Sequence, residues 1–150
     1  MVHKALQRWR FPGDALLEAT LRTQAQMEGL LDEELLHQAV REAHAMLSRF
    51  QHHALFAEMD TALERRHEVP FITAASREDA GWGFMDCLYR TSSGWVLVDF
   101  KTDELRSPAA LDAAVNMYTA QLVRYRQAAA ALLGQTPRSI MCFLLSLIHI

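Results

Sequence analysis

The hydrophobic positions of this chain change period once, near residue 67. Before it the spacing is helical. Residues 2–10 suit a short helix, broken by Phe11-Pro12-Gly13. Asp14 is placed to cap a second helix, in which Leu16, Leu17 and Leu21 form a thin apolar pattern to about Glu28. Asp32 opens a stronger one. Leu35, Leu36, Ala39, Val40, Ala43, Met46, Leu47 and Phe50 recur at three and four, which is one apolar face. Acidic Glu33 and Glu34 suit the positive end of that helix. Residues 52–66 continue helically past a break near His52-His53.

After the change the pattern is β-like. Residues 68–74 read as a strand, and Pro70 within it argues for an edge or a strand start. Residues 82–90 and 95–101 form a hairpin across the turn cluster Thr91-Ser92-Ser93-Gly94. Val96-Leu97-Val98 is a continuous apolar run, as expected of a strand covered on both faces. Ser107-Pro108 is a helix start, with Ser as N-cap and Pro in the first turn. That helix runs to Leu133 and is closed by Gly134. A last apolar strand runs from Ser139 to the end. Helices, three strands, a helix and a strand make a mixed α/β fold.

Composition narrows the class. A chain of 150 residues fits one domain, and an apolar content of 51% excludes disorder. The net charge of −3 gives no global attraction to nucleic acid, so such binding requires a local basic patch. Cys87 and Cys142 lack the spacing of a zinc site or a disulfide framework, and a reducing cytoplasm is the default. No signal peptide opens the chain, and no apolar run is long enough for a membrane span. Both ends read as cut: the chain enters on a helical pattern and stops on an apolar strand. Residues 144–150 also resemble translated adapter sequence, so His149 is given no functional weight.

The chemistry concentrates in the hairpin. Asp99 and Lys101 are two apart on one strand and so share a face, and the hairpin can bring Asp86 to them. Two carboxylates are hard oxygen ligands suited to Mg²⁺, with Mn²⁺ as the alternative. The lysine can orient an attacking water or stabilise developing negative charge. A solvated strand end with a surface Asp–Lys pair would give the same letters. Gln121 and Tyr125, four apart on the following helix, share a face and can hydrogen-bond a phosphate, a water or Lys101. Met117, Leu122 and Ala128-Ala129 are available for its packing. Arg124, Arg126, Arg65 and Arg66 are candidate phosphate contacts, and Trp9, Trp82 and Trp95 candidate stacking surfaces, at least two of them better read as core. His37, His44, His52 and His53 lack HxxxH spacing and read as ordinary surface or core histidines.

Glu68-Val69-Pro70-Phe71, Gly83-Phe84-Met85-Asp86, Val98-Asp99-Phe100-Lys101-Thr102 and Gln121-Leu122-Val123-Arg124-Tyr125, in this order, resemble the motifs of the RecB-like nucleases of the PD-(D/E)XK superfamily. The likeness is nearest to the C-terminal nuclease domain of RecB/AddA-type helicase–nucleases. It implies a restriction-endonuclease-like α/β core, a mixed central sheet flanked by helices, after an N-terminal helical segment. The division it suggests is residues 1–66 helical and 67–150 catalytic core, in one nuclease domain cut from a longer helicase–nuclease. It implies a Mg²⁺-dependent deoxyribonuclease, an exonuclease acting on DNA ends in double-strand break repair. Asp86, Asp99, the Phe100 carbonyl and His3 would hold the metal. Lys101, Gln121 and Tyr125 would serve the reaction, and Glu68 would be secondary. The glycine of the family's histidine motif would fall before Met1. No P-loop motif occurs, so a helicase motor would lie on the same longer chain or on a partner. The alternative is a catalytically idle nuclease fold that binds DNA or docks.

Overall fold

The structure, a computed structural model, describes residues 1–73, 81–146 and 148–149. Two compact units divide it, residues 1–60 and 61–150.

The first unit is helical: α1 (Val2–Gln7), α2 (Leu17–Met27), α3 (Glu33–Gln51) and α4 (Ala54–Asp60). Asp32 caps α3, its side chain accepting from the Leu35 N–H at 3.0 Å. The buried face of α3 is Leu36, Val40, Ala43, Met46, Leu47 and Phe50, the stripe read from the sequence without Leu35 and Ala39. Helix α1 is shorter than the pattern suggested. The Trp9 N–H bonds to the Leu6 carbonyl and the Arg10 N–H to the Ala5 carbonyl, a Schellman closure. Trp9 sits at its left-handed position, φ +52°, where glycine is usual. Its ring stacks on Phe56 at 5.2 Å and its Nε1 donates to Asp60 at 2.8 Å, which holds the unfavourable backbone in place. Asp14 does not cap α2. Its carboxylate accepts from the Leu16 N–H at 2.7 Å, closing a side-chain turn one step before the helix.

The second unit holds β1 (Glu64–Thr73), β2 (Gly81–Thr91), β3 (Gly94–Lys101), α5 (Pro108–Leu133), β4 (Arg138–Phe143) and β5 (Ile148–His149). The sheet order is β1-β2-β3-β4-β5, antiparallel except for the parallel β3–β4 pair that α5 connects. This is the mixed α/β core expected. Pro70 lies on an edge strand, as its missing N–H requires. Ser107 caps α5 by accepting from the Ala110 N–H, and Gly134 ends it at φ +68°. Helix α5 lays Ala129, Leu122, Tyr125 and Leu133 over Val69, Met85, Leu88 and Leu97. Truncating a side chain as enclosed as Leu97 costs about 2–5 kcal/mol.

Two further boundaries differ from the sequence reading. The helical pattern does not continue to Arg66: residues 64–67 pair with β2 from Glu64↔Arg90 to His67↔Cys87. Cross-strand hydrogen bonds outweigh the local preference there. The last strand is not continuous either. It stops at Phe143, turns through residues 144–146, and β5 returns antiparallel. Ala74, Leu147 and Ile150, also read as strand, lie outside the described residues.

Candidate active site

Strands β2 and β3 pair from Thr91↔Gly94 to Cys87↔Val98 and then separate. Beyond that rung β2 stays with β1, through Met85↔Val69 to Gly81↔Thr73. Strand β3 instead follows β4, from Asp99↔Met141 to Lys101↔Phe143. The first residue past the fork is Asp86 on one strand and Asp99 on the other. Where the ladder stops, the Asp86 carboxylate replaces it, accepting from the Phe100 N–H at 2.7 Å. The structure thus joins Asp86, Asp99 and Phe100 in one notch.

Lys101 completes it. Its Nζ lies 2.8 Å from Asp99 Oδ2 and donates to Gln121 Oε1 at 2.8 Å. The Gln121 amide in turn donates to the Tyr125 hydroxyl at 2.6 Å. Asp99 is 2% exposed and the lysine side chain 12%, so both charges are largely removed from water. In such surroundings their attraction is strong and the lysine's position is fixed. A surface Asp–Lys pair would be neither buried nor braced from a helix.

Two participants went unread in the sequence. Lys101 Nζ sits 4.2 Å from the centroid of the Tyr118 ring, a cation–π contact. The Tyr118 hydroxyl donates to both oxygens of Asp103 at 3.1 Å. Burial first, and then the Asp103 carboxylate, push its pKa above the usual phenol value. The signal was present: Tyr118 stands three residues before Gln121, on the same helical face. Met117, offered as a packing residue, is 70% exposed, and Tyr118 packs against the core in its place.

Glu68 lies in a gap of the β1–β2 register, between His67↔Cys87 and Val69↔Met85. That gap is opposite Asp86, so register places the three acids on successive strands at one level. Glu68 has φ +51°, rare for a residue with a side chain. His3 lies on α1 in the first unit. The remaining candidates divide by surroundings. Trp9 belongs to the aromatic cluster of the first unit and Trp95 packs on the sheet core, whereas Trp82 is 78% exposed. Arg65 donates to His67 and Arg66 to Glu64, both from a strand. His37, His44 and His52 are exposed. Cys87 and Cys142 are buried, and burial pushes each thiol up to about 12.

Among the described residues no group of three His, Cys, Asp or Glu side chains forms a ready metal cage. The donor set still fits one class of ion. Magnesium is held by one or two carboxylates, with substrate phosphate and water completing its shell. Asp86 and Asp99 at the fork supply those two, whereas zinc favours sites dominated by nitrogen or sulfur ligands. Among the described residues no helix is long and apolar enough to cross a membrane.

No protein of curated function matches the chain in sequence. Among solved structures it is similar to the crystal structure of protein VC1899 from Vibrio cholerae, at 14% identity and a TM-score of 0.38. That match covers 95% of this chain but only 44% of the other. The profile of the PD-(D/E)XK nuclease superfamily matches residues 1–147, essentially the whole length. The mixed sheet is accordingly a restriction-endonuclease-like core, and the chain belongs to the PD-(D/E)XK nuclease superfamily.

Proposed function

We propose that this chain is a metal-dependent nuclease domain that hydrolyses phosphodiester bonds in DNA. One observation carries the reading: Asp86, Asp99 and a braced Lys101 converge where β2 and β3 part. Asp86 and Asp99 would hold Mg²⁺, or Mn²⁺ in its place, with the Phe100 carbonyl and His3 as further ligands. When bound, the metal supplies charge neutralisation on the scissile phosphate and a more acidic water.

The protein's own groups do the rest. An ammonium has three N–H donors. Lys101 pairs by charge with Asp99 and spends one donor on Gln121, which leaves N–H capacity for the attacking water or a phosphate oxygen. Water adds to phosphorus in line with the leaving oxygen, the P–O bond to that oxygen breaks, and Lys101 meets the charge that builds on the phosphorane. Gln121 keeps the lysine aimed and Tyr125 keeps Gln121 from rotating. Glu68, strained opposite Asp86, is a secondary acid of the same site.

The motif order favours a RecB/AddA-type exonuclease that acts on DNA ends in double-strand break repair, in the cytoplasm. In that reading residues 1–150 are one nuclease domain of a longer helicase–nuclease. A helicase motor on the same chain or on a partner subunit would feed it. The test is cleavage of end-labelled DNA with Mg²⁺ by the wild type beside Asp99→Ala and Lys101→Ala. Both variants should lose cleavage. Equal cleavage by all three refutes the site, and DNA binding without cleavage by the wild type favours the idle docking module.

A further inference from the structure

The net charge of −3 hides one groove of opposite sign. Between α1 and α2 of the helical unit lies a cavity of about 520 Å³. Lys4, Arg8 and Arg10 line one side of it, and Thr20, Thr23 and Gln24 lie on the other; among the described residues no acid lines it. Lys4 lies on α1 and Arg8, four residues on, is its C-cap residue. Arg10 is fixed by its own hydrogen bonds: Nη1 donates to the Leu16 carbonyl at 3.2 Å and to Thr20 Oγ1 at 3.1 Å. Thr20 is itself held, its hydroxyl donating to the Leu16 carbonyl at 2.8 Å. A guanidinium has five N–H donors, so this anchoring leaves Arg10 others directed elsewhere. Two of the lining residues already have an acidic partner. Asp14 lies 3.9 Å from Arg10 Nε, and Glu28 binds the N-terminal amine and Gln24.

Placement at a helix C-terminus would explain one cation beside α1. It does not explain why three cations line one cavity with Thr20, Thr23 and Gln24, beside the apolar Leu16, Ala19 and Met27. We propose that this groove binds backbone phosphates of the DNA substrate. The proposal rests on the nuclease reading for the identity of that polyanion. The occupant is recognised by charge and not by sequence, since every lining donor suits a phosphate oxygen and the chain's net charge offers no general attraction.

The experiment uses the full chain and the variants Lys4→Gln, Arg8→Gln, their combination, and Arg8→Lys. None touches the residues assigned to hydrolysis. Affinity for a fluorescent single-stranded oligonucleotide is measured in EDTA across a salt series, with thymidine monophosphate as a free-nucleotide arm. Cleavage with Mg²⁺ is measured in parallel, and thermal unfolding checks that each variant is folded. The double variant should bind the oligonucleotide about tenfold more weakly, and its log–log salt slope should fall by about 1.4, at roughly 0.7 for each single-strand phosphate that is no longer neutralised. In cleavage KM should rise with kcat unchanged, and Arg8→Lys should retain most affinity. Unchanged affinity and slope in the folded double variant overturn the proposal. So does loss of nucleotide binding with oligonucleotide binding intact, which assigns the groove to a free nucleotide. A wild type that cleaves while the groove variants bind normally sinks the groove alone. A wild type that binds through the groove but never cleaves sinks the nuclease reading alone.

Discussion

Replacing Asp86 separates its two roles, because one is structural and the other chemical. Its Oδ2 accepts the Phe100 N–H at 2.7 Å, on the rung where β2 and β3 stop pairing. Phe100 is 2% exposed, so water is a poor substitute for that acceptor. Asp86→Ala leaves the N–H without it, at a cost of about 1–3 kcal/mol. Asp86→Asn keeps a carbonyl oxygen at the same reach and should cost about 0.5 kcal/mol or less. In urea, with a slope of roughly 1–3 kcal/mol per molar, the alanine variant should unfold about 1 M earlier and the asparagine variant close to wild type. Catalysis should not follow stability. Both variants remove the charge that would hold Mg²⁺, so both should lose at least about a hundredfold in cleavage of end-labelled DNA. Two results would refute this reasoning. Equal stability of Asp86→Ala and wild type would mean that the Phe100 amide does not depend on the carboxylate. Full cleavage by the asparagine variant would mean that the carboxylate is no metal ligand.

Other expectations follow from the same structure. Gln121→Leu removes the hydrogen-bond acceptor that braces Lys101, and kcat should fall about 10–100-fold with little change in KM, whereas Gln121→Glu, which restores an acceptor, should recover much of it. His67 is held neutral, its pKa lowered to about 4 by burial first and by Arg65 second. The unfolded chain therefore takes up a proton that the folded chain refuses, so stability is complete above the unfolded value of about 6.5 and falls as pH drops towards 4. After discounting for the part of the ring that water reaches, the loss is about 1–2 kcal/mol, and His67→Gln should flatten that part of a pH series of denaturation curves. Cys87 and Cys142, with thiols pushed up to about 12, should resist an aromatic disulfide reagent at pH 8 in the native state and react in denaturant. Rapid labelling of the native protein would mean that these strands open readily.

What the sequence conveyed depended on whether one element or several decided a feature. Asp32 and Ser107 were legible as caps because capping is settled within four residues, and both side chains accept the backbone N–H three residues on. Asp99 and Lys101 were legible as neighbours because a strand alternates strictly. Residues 64–67 were not, since nothing local distinguishes them from a continuing helix until β2 offers its hydrogen bonds. The fork was hidden for the same reason. The separation of β2 from β3 is set by β1 and β4 drawing them apart, and three pairings cannot be read from one strand. Tyr118 was passed over for a related cause: its partner Lys101 is identifiable only once α5 is laid along the sheet. The left-handed φ of Glu68 has no local cause either, because glutamate carries no preference for it and no glycine marks the position. Strain of this kind persists only where surrounding pairings impose it, and here they impose it at the level of Asp86 and Asp99. A strained acid, an acid used as a strand rung and a buried acid thus lie on neighbouring strands at one level of the sheet. That coincidence is a stronger argument for a built site than any of the three motifs taken alone.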